Sequence, residues 1–268
     1  MQSLLAALSN NARMFGMRFS PSKCKLLLQD WPVSTPELRI GSEVVERVDN
    51  FIYLGSVISP NGLVSDEISA RIRKARLTFA NLRHLWRRRD IRLSIKGRVY
   101  SAPVRSVLLY GRETRPLRVE DTRKLLVFDH RCLRNIAGIC WDHRVSSSEV
   151  RLRVLGNDGK SVDEVVNLRR LRWLGHVLRM PEHRLPRRSM LTGVRDGWKR
   201  IRGGQTKTWH QCLKSLTASL SHVGRCRLLG WGPRDFRNRW LETLGDMAQN
   251  RSQWRRCIHS LSSLKLRD

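Results

Sequence analysis

Acidic residues are scarce in this chain: 23 Asp and Glu stand against 52 Lys and Arg, a formal net charge of +29 over 268 residues. A compact state at that charge repels itself unless a polyanion shares its surface, so nucleic acid is the first partner to consider. An anionic membrane is the alternative, but no run approaches about 18 apolar residues, and no segment reads as membrane-spanning. The short apolar patch in MQSLLAALSNNARMF lacks a basic stretch before it, so it does not read as a signal peptide. Cysteine is thin and widely scattered, at Cys24, Cys132, Cys140, Cys212, Cys226 and Cys257. That suits reduced thiols in a cell interior better than a disulfide framework. There is no G-x-S-x-G nucleophile elbow, no H-E-x-x-H zinc motif, no internal repeat and no low-complexity tract. What is present is a 40% hydrophobic content, enough to exclude a disordered tail, in a length that holds one to three compact units.

The charge is uneven. Residues 1–60 hold six basic residues (Arg13, Arg18, Lys23, Lys25, Arg39, Arg47) and five acidic ones (Asp30, Glu37, Glu43, Glu46, Asp49). That leaves 46 basic and 18 acidic residues for 61–268. The front is nearly neutral, and the candidate polyanion-binding region lies behind it.

Patterning supports the same division. Residues 2–15 suit a short helix, and GMRFSPSKCKLLL suits a Gly turn followed by extended chain. LRIGSEVVERVDNFIYLGSVIS suits two or three short strands with Gly41 in a tight turn. FIYLGSVISPNG, Phe51 to Gly62, reads as a buried strand and a hairpin corner at Pro-Asn-Gly. Helix is then expected to the end. Ser65 can cap the first helix, Asp66 and Glu67 suit its first turn, and Ile68, Ile72, Ala75, Phe79, Leu82 and Trp86 form one apolar stripe. Arg73, Lys74, Arg76, Arg87, Arg88 and Arg89 fall off that stripe as a basic side. A solvated charged face is the plainer reading of such a run, but few acids balance this one.

Further on, Leu125, Phe128, Cys132 and Ile136 mark a helix ending at Gly138. Ser161 and Glu164 form a capping-box pattern before a helix apolar on two sides, with Val162, Val166, Trp173 and Val177 on one and Leu171, Leu174 and Leu178 on the other. Its arginines are expected to escape at the seams. HRLPRRSMLTGVRDGWKRIRGGQ reads as a linker, and helices are expected over residues 206–220 and 234–261. The expected fold is mainly α with a small antiparallel β element near the N-terminus (α+β). It divides as 1–60, 61–155 and 156–268.

Several chemical motifs yield to plainer readings. GNDGKS (Gly156 to Ser161) ends like a phosphate-binding loop, but the glycine spacing is wrong, and turn plus N-cap reads better. His130, Cys132, Cys140 and His143 could hold zinc, Cys140 and His143 having ligand-like spacing, yet Cys132 belongs to an apolar stripe. His210, Cys212, His222 and Cys226 look knuckle-like, but His210 and Cys212 would diverge on a helix. Core thiols are the expectation in both places, with no metal. Trp86 and Trp173 suit core stripes, while Trp198 and Trp254 beside Arg or Lys could stack on bases.

GMRFSPSKCKLL, VDNFIYLGSVISPNG, EISARIRKARLTFANLRHLWRRRDI and LLYGRETRPL resemble, in that order, the reverse transcriptases (RNA-directed DNA polymerases) of non-LTR retrotransposons. CLRNIAGICWDHRV and RRLRWLGHVLRMPEHRLPRR are similar to the region that follows the polymerase in the same elements. The resemblance implies that the Gly-to-Lys block is palm motif D, with Lys23 near the incoming nucleotide. It implies that Tyr53, Leu54 and Gly55 form a primer grip, and that the helices behind are a thumb and a basic C-terminal segment. The implied partners are RNA, an RNA–DNA hybrid or DNA, with no membrane, and the implied compartment is the nucleus. Such polymerases use a Tyr-x-Asp-Asp turn and an upstream Asp to bind two metal ions. This sequence contains no Asp-Asp pair. In the family that turn precedes the part matched by Met1 to Phe15, as do the fingers, most of the palm and the endonuclease. The expectation is therefore a truncated polymerase that retains nucleic-acid binding, with Mg2+ needed only alongside the missing palm. The alternatives are a stand-alone RNA- or DNA-binding protein, a non-functional gene fragment, or a partner of a separate catalytic fragment.

Overall fold

A computed structural model of the protein describes residues 1–28, 37–59, 64–115, 117–140, 142–157, 159–191, 208–218, 222–223, 226–232, 234–235 and 239–262. Helix accounts for 63% and strand for 7%, so the chain is mainly α with small β elements, as the patterning predicts. It forms two compact units, residues 1–70 and 71–268, and the break falls within a helix.

The first unit has a thin core. Helix α1 (Gln2–Met14) buries none of its residues. It is tied down by the Gln2 amide, which donates to the Arg39 carbonyl and accepts from the Arg39 N–H, each at 2.9 Å. A side chain thus supplies the paired bonds that a neighbouring strand would make. A single 3-10 turn over Pro21–Lys23 leads into β1 (Lys25–Leu26). Strands β2 (Arg39–Ile40) and β3 (Glu43–Val44) make the tight hairpin expected at Gly41, whose φ is +65°. Strand β4 (Glu46–Arg47) pairs in parallel with β1. Leu38, Ile40 and Val45 form the small core, with Leu5, Cys24 and Leu26 against it.

The stretch expected to be a buried strand with its hairpin corner at Pro60–Gly62 turns back earlier and is by itself a complete hairpin. Strands β5 (Phe51–Tyr53) and β6 (Ser56–Ile58) pair Phe51 with Ile58 and Tyr53 with Ser56. The reversal comes at Leu54–Gly55, with φ of +48° and +77°, the positive values that a two-residue type I′ turn demands. Nor is the stretch buried: Ile52 and Leu54 are 66% and 73% exposed. Alternation of large residues runs unbroken through both strands, so it cannot reveal that Gly55 folds the run back on itself. The expected corner at Pro60–Gly62 lies outside the described residues.

Helix α2 (Val64–Asn81) follows, with Asp66 and Glu67 in its first turn. Glu67 is buried and accepts from the Val57 N–H at 2.6 Å, which ties β6 to the helix. Ser65 is no cap. It lies inside the helix, where its carbonyl accepts from Ser69.

In the second unit α3 (Arg83–Arg87) and α4 (Leu93–Val99) lead into a π-helical turn, Tyr100–Val104, and then α5 (Arg105–Leu108). Residues five apart on a regular α-helix point about 140° apart. Here the Arg105 N–H bonds to the Tyr100 carbonyl, and the wider turn lets both side chains reach one carboxylate. That carboxylate is Asp129 on α6 (Val119–Ala137), which ends at Gly138 in the left-handed region as expected. Helix α7 (Ser147–Leu155) crosses α4 so closely that a Cβ on Gly97 would lie 2.0 Å from the Val154 carbonyl oxygen.

Helix α8 (Val162–Leu178) opens with the Ser161–Glu164 capping box and is buried on both expected sides. The turn-plus-cap reading of GNDGKS holds. Arg170 does not escape at a seam: it is buried and donates to the Arg115 carbonyl at 2.9 Å, and burial pushes its pKa down. Part of the expected linker is helical, α9 (Leu185–Leu191), with Met190 buried; residues 192–207 lie outside the described residues. Helix α10 (Trp209–Leu216) is shorter than expected and is capped by Thr208 and Gln211. Strands β7 (His222–Val223) and β8 (Cys226–Arg227) form an antiparallel pair. The last expected helix is two, α11 (Arg239–Gln249) and α12 (Arg251–Ser262). The Asn250 side chain accepts from the Ser252 and Gln253 N–H groups, so it closes one helix and caps the next. The core joins α8 to α10, α11 and α12 through Leu171, Leu174, Leu213, Leu244 and Ile258.

Candidate nucleic-acid interface

The apolar stripe of α2 decides where its charges go. Ile68 and Ala75 are buried, and Phe79 stacks on Trp86 at 5.2 Å. The Trp86 indole donates to the Phe79 carbonyl at 2.8 Å, and the Lys96 ammonium donates to the Trp86 carbonyl at the same distance. The stripe therefore continues across the break between α2 and α3. With that side fixed, Arg73, Lys74 and Arg76 on α2, Arg87 at the end of α3, and the following Arg88 and Arg89 are all exposed. Arg88 is partly neutralised, since it holds Asp90 through two bonds of 3.0 and 2.5 Å.

Between α2 and α6 runs an open groove of about 780 Å³. Its floor is Ile72, Phe79, Val127, Phe128 and Cys132, and Arg76, Arg123, Lys124 and Arg131 stand around it, with Glu120 from the first turn of α6. An apolar, partly aromatic floor under several cations suits a nucleotide strand: a base can lie on the floor while phosphates meet the rim. The sequence pattern singles out Arg76 but not Arg123, Lys124 or Arg131. The spacing of Lys124, Val127 and Arg131 places them on one helical face and was the available signal.

Beneath the groove lies a closed ion pair. Arg105 donates to both Asp129 oxygens, at 2.8 and 2.9 Å, and the Tyr100 hydroxyl donates to one of them at 2.8 Å. All three are buried. Burial, then the Asp129 charge, holds the Tyr100 hydroxyl well above the ordinary phenol range. Burial, again followed by Asp129, pushes the Cys132 thiol up to about 12. Cys132 is buried in the apolar stripe of α6 with Leu125, Phe128 and Ile136, so it is a core residue as expected.

The remaining residues fall into separate places. Lys23 is exposed on the 3-10 turn, and Tyr53, Leu54 and Gly55 form the exposed tip of the β5–β6 hairpin; all four belong to the first unit. The basic face and the groove belong to the second. Trp254 is not available to stack on bases: it is buried and donates to the Leu171 carbonyl at 3.2 Å. Trp198 lies outside the described residues, as do the side chains of His222 and Cys226. His210 bonds the Met190 carbonyl at 3.0 Å. Among the described residues no helix is long and apolar enough to cross a membrane. Comparison with family models, curated proteins and solved structures finds no match.

Proposed function

We propose that the chain binds nucleic acid through the groove between α2 and α6, as the C-terminal part of a non-LTR reverse transcriptase. The observation that carries the reading is the groove itself, an apolar floor with Phe79 and Phe128 beneath Arg76, Arg123, Lys124 and Arg131. The ordered sequence blocks and the charge of +29 support it. Tyr53, Leu54 and Gly55 serve as the primer grip in this reading, and Lys23 lies near the nucleotide. Because the 268 residues contain no Asp-Asp pair, they do not polymerise DNA alone. No primer extension with Mg2+ is expected, and extension would refute that part.

The test is fluorescence anisotropy with a primed RNA–DNA hybrid, single-stranded RNA and duplex DNA across a salt series. Tighter binding to the hybrid supports a template–primer clamp. Equal, steeply salt-dependent binding to all three supports the second reading, a stand-alone RNA- or DNA-binding protein, which is favoured by the groove lying wholly within the second unit.

A further inference from the structure

We infer that Cys140, Asp142 and His143, in the loop between α6 and α7, form a zinc site. The sequence groups Cys140 and His143 with His130 and the buried Cys132; the structure brings in Asp142 instead. One ligand atom from each of the three lies within 4.8 Å of the others, and all three residues are exposed. Tetrahedral zinc, with bonds of about 2.0–2.3 Å, holds its donors about 3.5 Å apart, so only a small closure separates the loop from a coordinating geometry.

The loop backbone is already braced. Arg134, in the last turn of α6, donates to the Cys140 and His143 carbonyls, the latter at 2.9 Å, and to the Val145 carbonyl at 3.2 Å. One guanidinium thus holds the two outer ligand residues by their main chains and leaves their side chains outward. Thiolate, imidazole and carboxylate together select a borderline metal such as zinc over magnesium or calcium. Binding releases the thiol proton, and thiolate plus carboxylate then cancel the ion's charge, which takes the site itself from about −1 to neutral. Three protein donors leave a fourth position to water. The site rests on this loop alone and stands whether or not the chain binds nucleic acid.

Cobalt(II) titration of the reduced full chain tests it. A thiolate-to-cobalt charge-transfer band at one equivalent, reversed by zinc, is expected. Cys140→Ser removes the band and Cys24→Ser leaves it. Asp142→Asn and His143→Ala weaken binding by at least about tenfold, and Arg134→Gln weakens it to a similar degree without moving the band. No band in the unsubstituted chain, or a band that survives Cys140→Ser, overturns the proposal. A second readout needs no variant: one equivalent of zinc slows alkylation of Cys140, scored by peptide mass, and an unchanged rate likewise overturns it.

Discussion

Asp129 joins α6 to the π turn and to α5 in the second unit. Its carboxylate takes two bonds from Arg105 and one from Tyr100, all out of water. Asp129→Ala leaves a buried guanidinium unpaired and is expected to cost about 3–5 kcal/mol, read as a lower urea midpoint. Cys132 gives the alkaline limit. Its folded pKa of about 12 lies above the ordinary 9.0, so folding favours the neutral thiol. That contribution is complete below pH 9 and is lost as pH rises through about 12. Tyr100 is shifted in the same direction, which adds to the loss at high pH. Stability should therefore fall steadily above pH 9, and less steeply in Cys132→Ala. At pH 8 iodoacetamide should modify exposed Cys140 quickly and reach Cys132 only on unfolding.

At the scale of elements, strain and close approach make the predictions. Leu54 holds φ +48°, which costs a side chain other than Gly or Asn about 1–2 kcal/mol. Leu54→Asn creates the favoured Asn-Gly turn and should slow amide exchange in the β5–β6 hairpin. If the exposed leucine meets nucleic acid, the same change weakens binding. Gly175 sets the α8–α12 approach, since a Cβ there would lie 2.1 Å from the Trp254 indole nitrogen. That indole is held by the Leu171 carbonyl, so Gly175→Ala should cost about 1–3 kcal/mol in thermal melting. What the sequence made legible here was local. The Ser161–Glu164 box and the Gly138 cap involve residues three or four apart, and both stand as read. Gly175 has meaning only through a tryptophan 79 residues away, and the Leu54–Gly55 reversal hides inside an alternation that continues on both sides of it.

For the whole molecule, unbalanced charge is the governing fact. Salt screens self-repulsion, so the melting temperature should rise with sodium chloride from low to about 0.5 M, while nucleic-acid affinity falls. Arg73→Gln, Lys74→Gln and Arg76→Gln together should raise the low-salt melting temperature, weaken binding and lower the salt slope by about one for each phosphate no longer neutralised. An unchanged slope would remove α2 as a binding face. The neutral front and basic back were readable from composition, as was the outward side of α2. The groove was not, because Arg76 and Arg131 line it from two helices that composition cannot bring together. The π turn over Tyr100–Val104 carries a consequence of another kind, for insertion and deletion. In most loops an extra codon lengthens a connection and little else. One removed within 101–104 would leave Tyr100 and Arg105 four apart, about 40° on a regular α-helix and still on one face, whereas one added would set them about 120° apart and pull Arg105 from Asp129. A single in-frame insertion there would leave the carboxylate and the guanidinium both stranded, so this short stretch should resist lengthening while its neighbours drift.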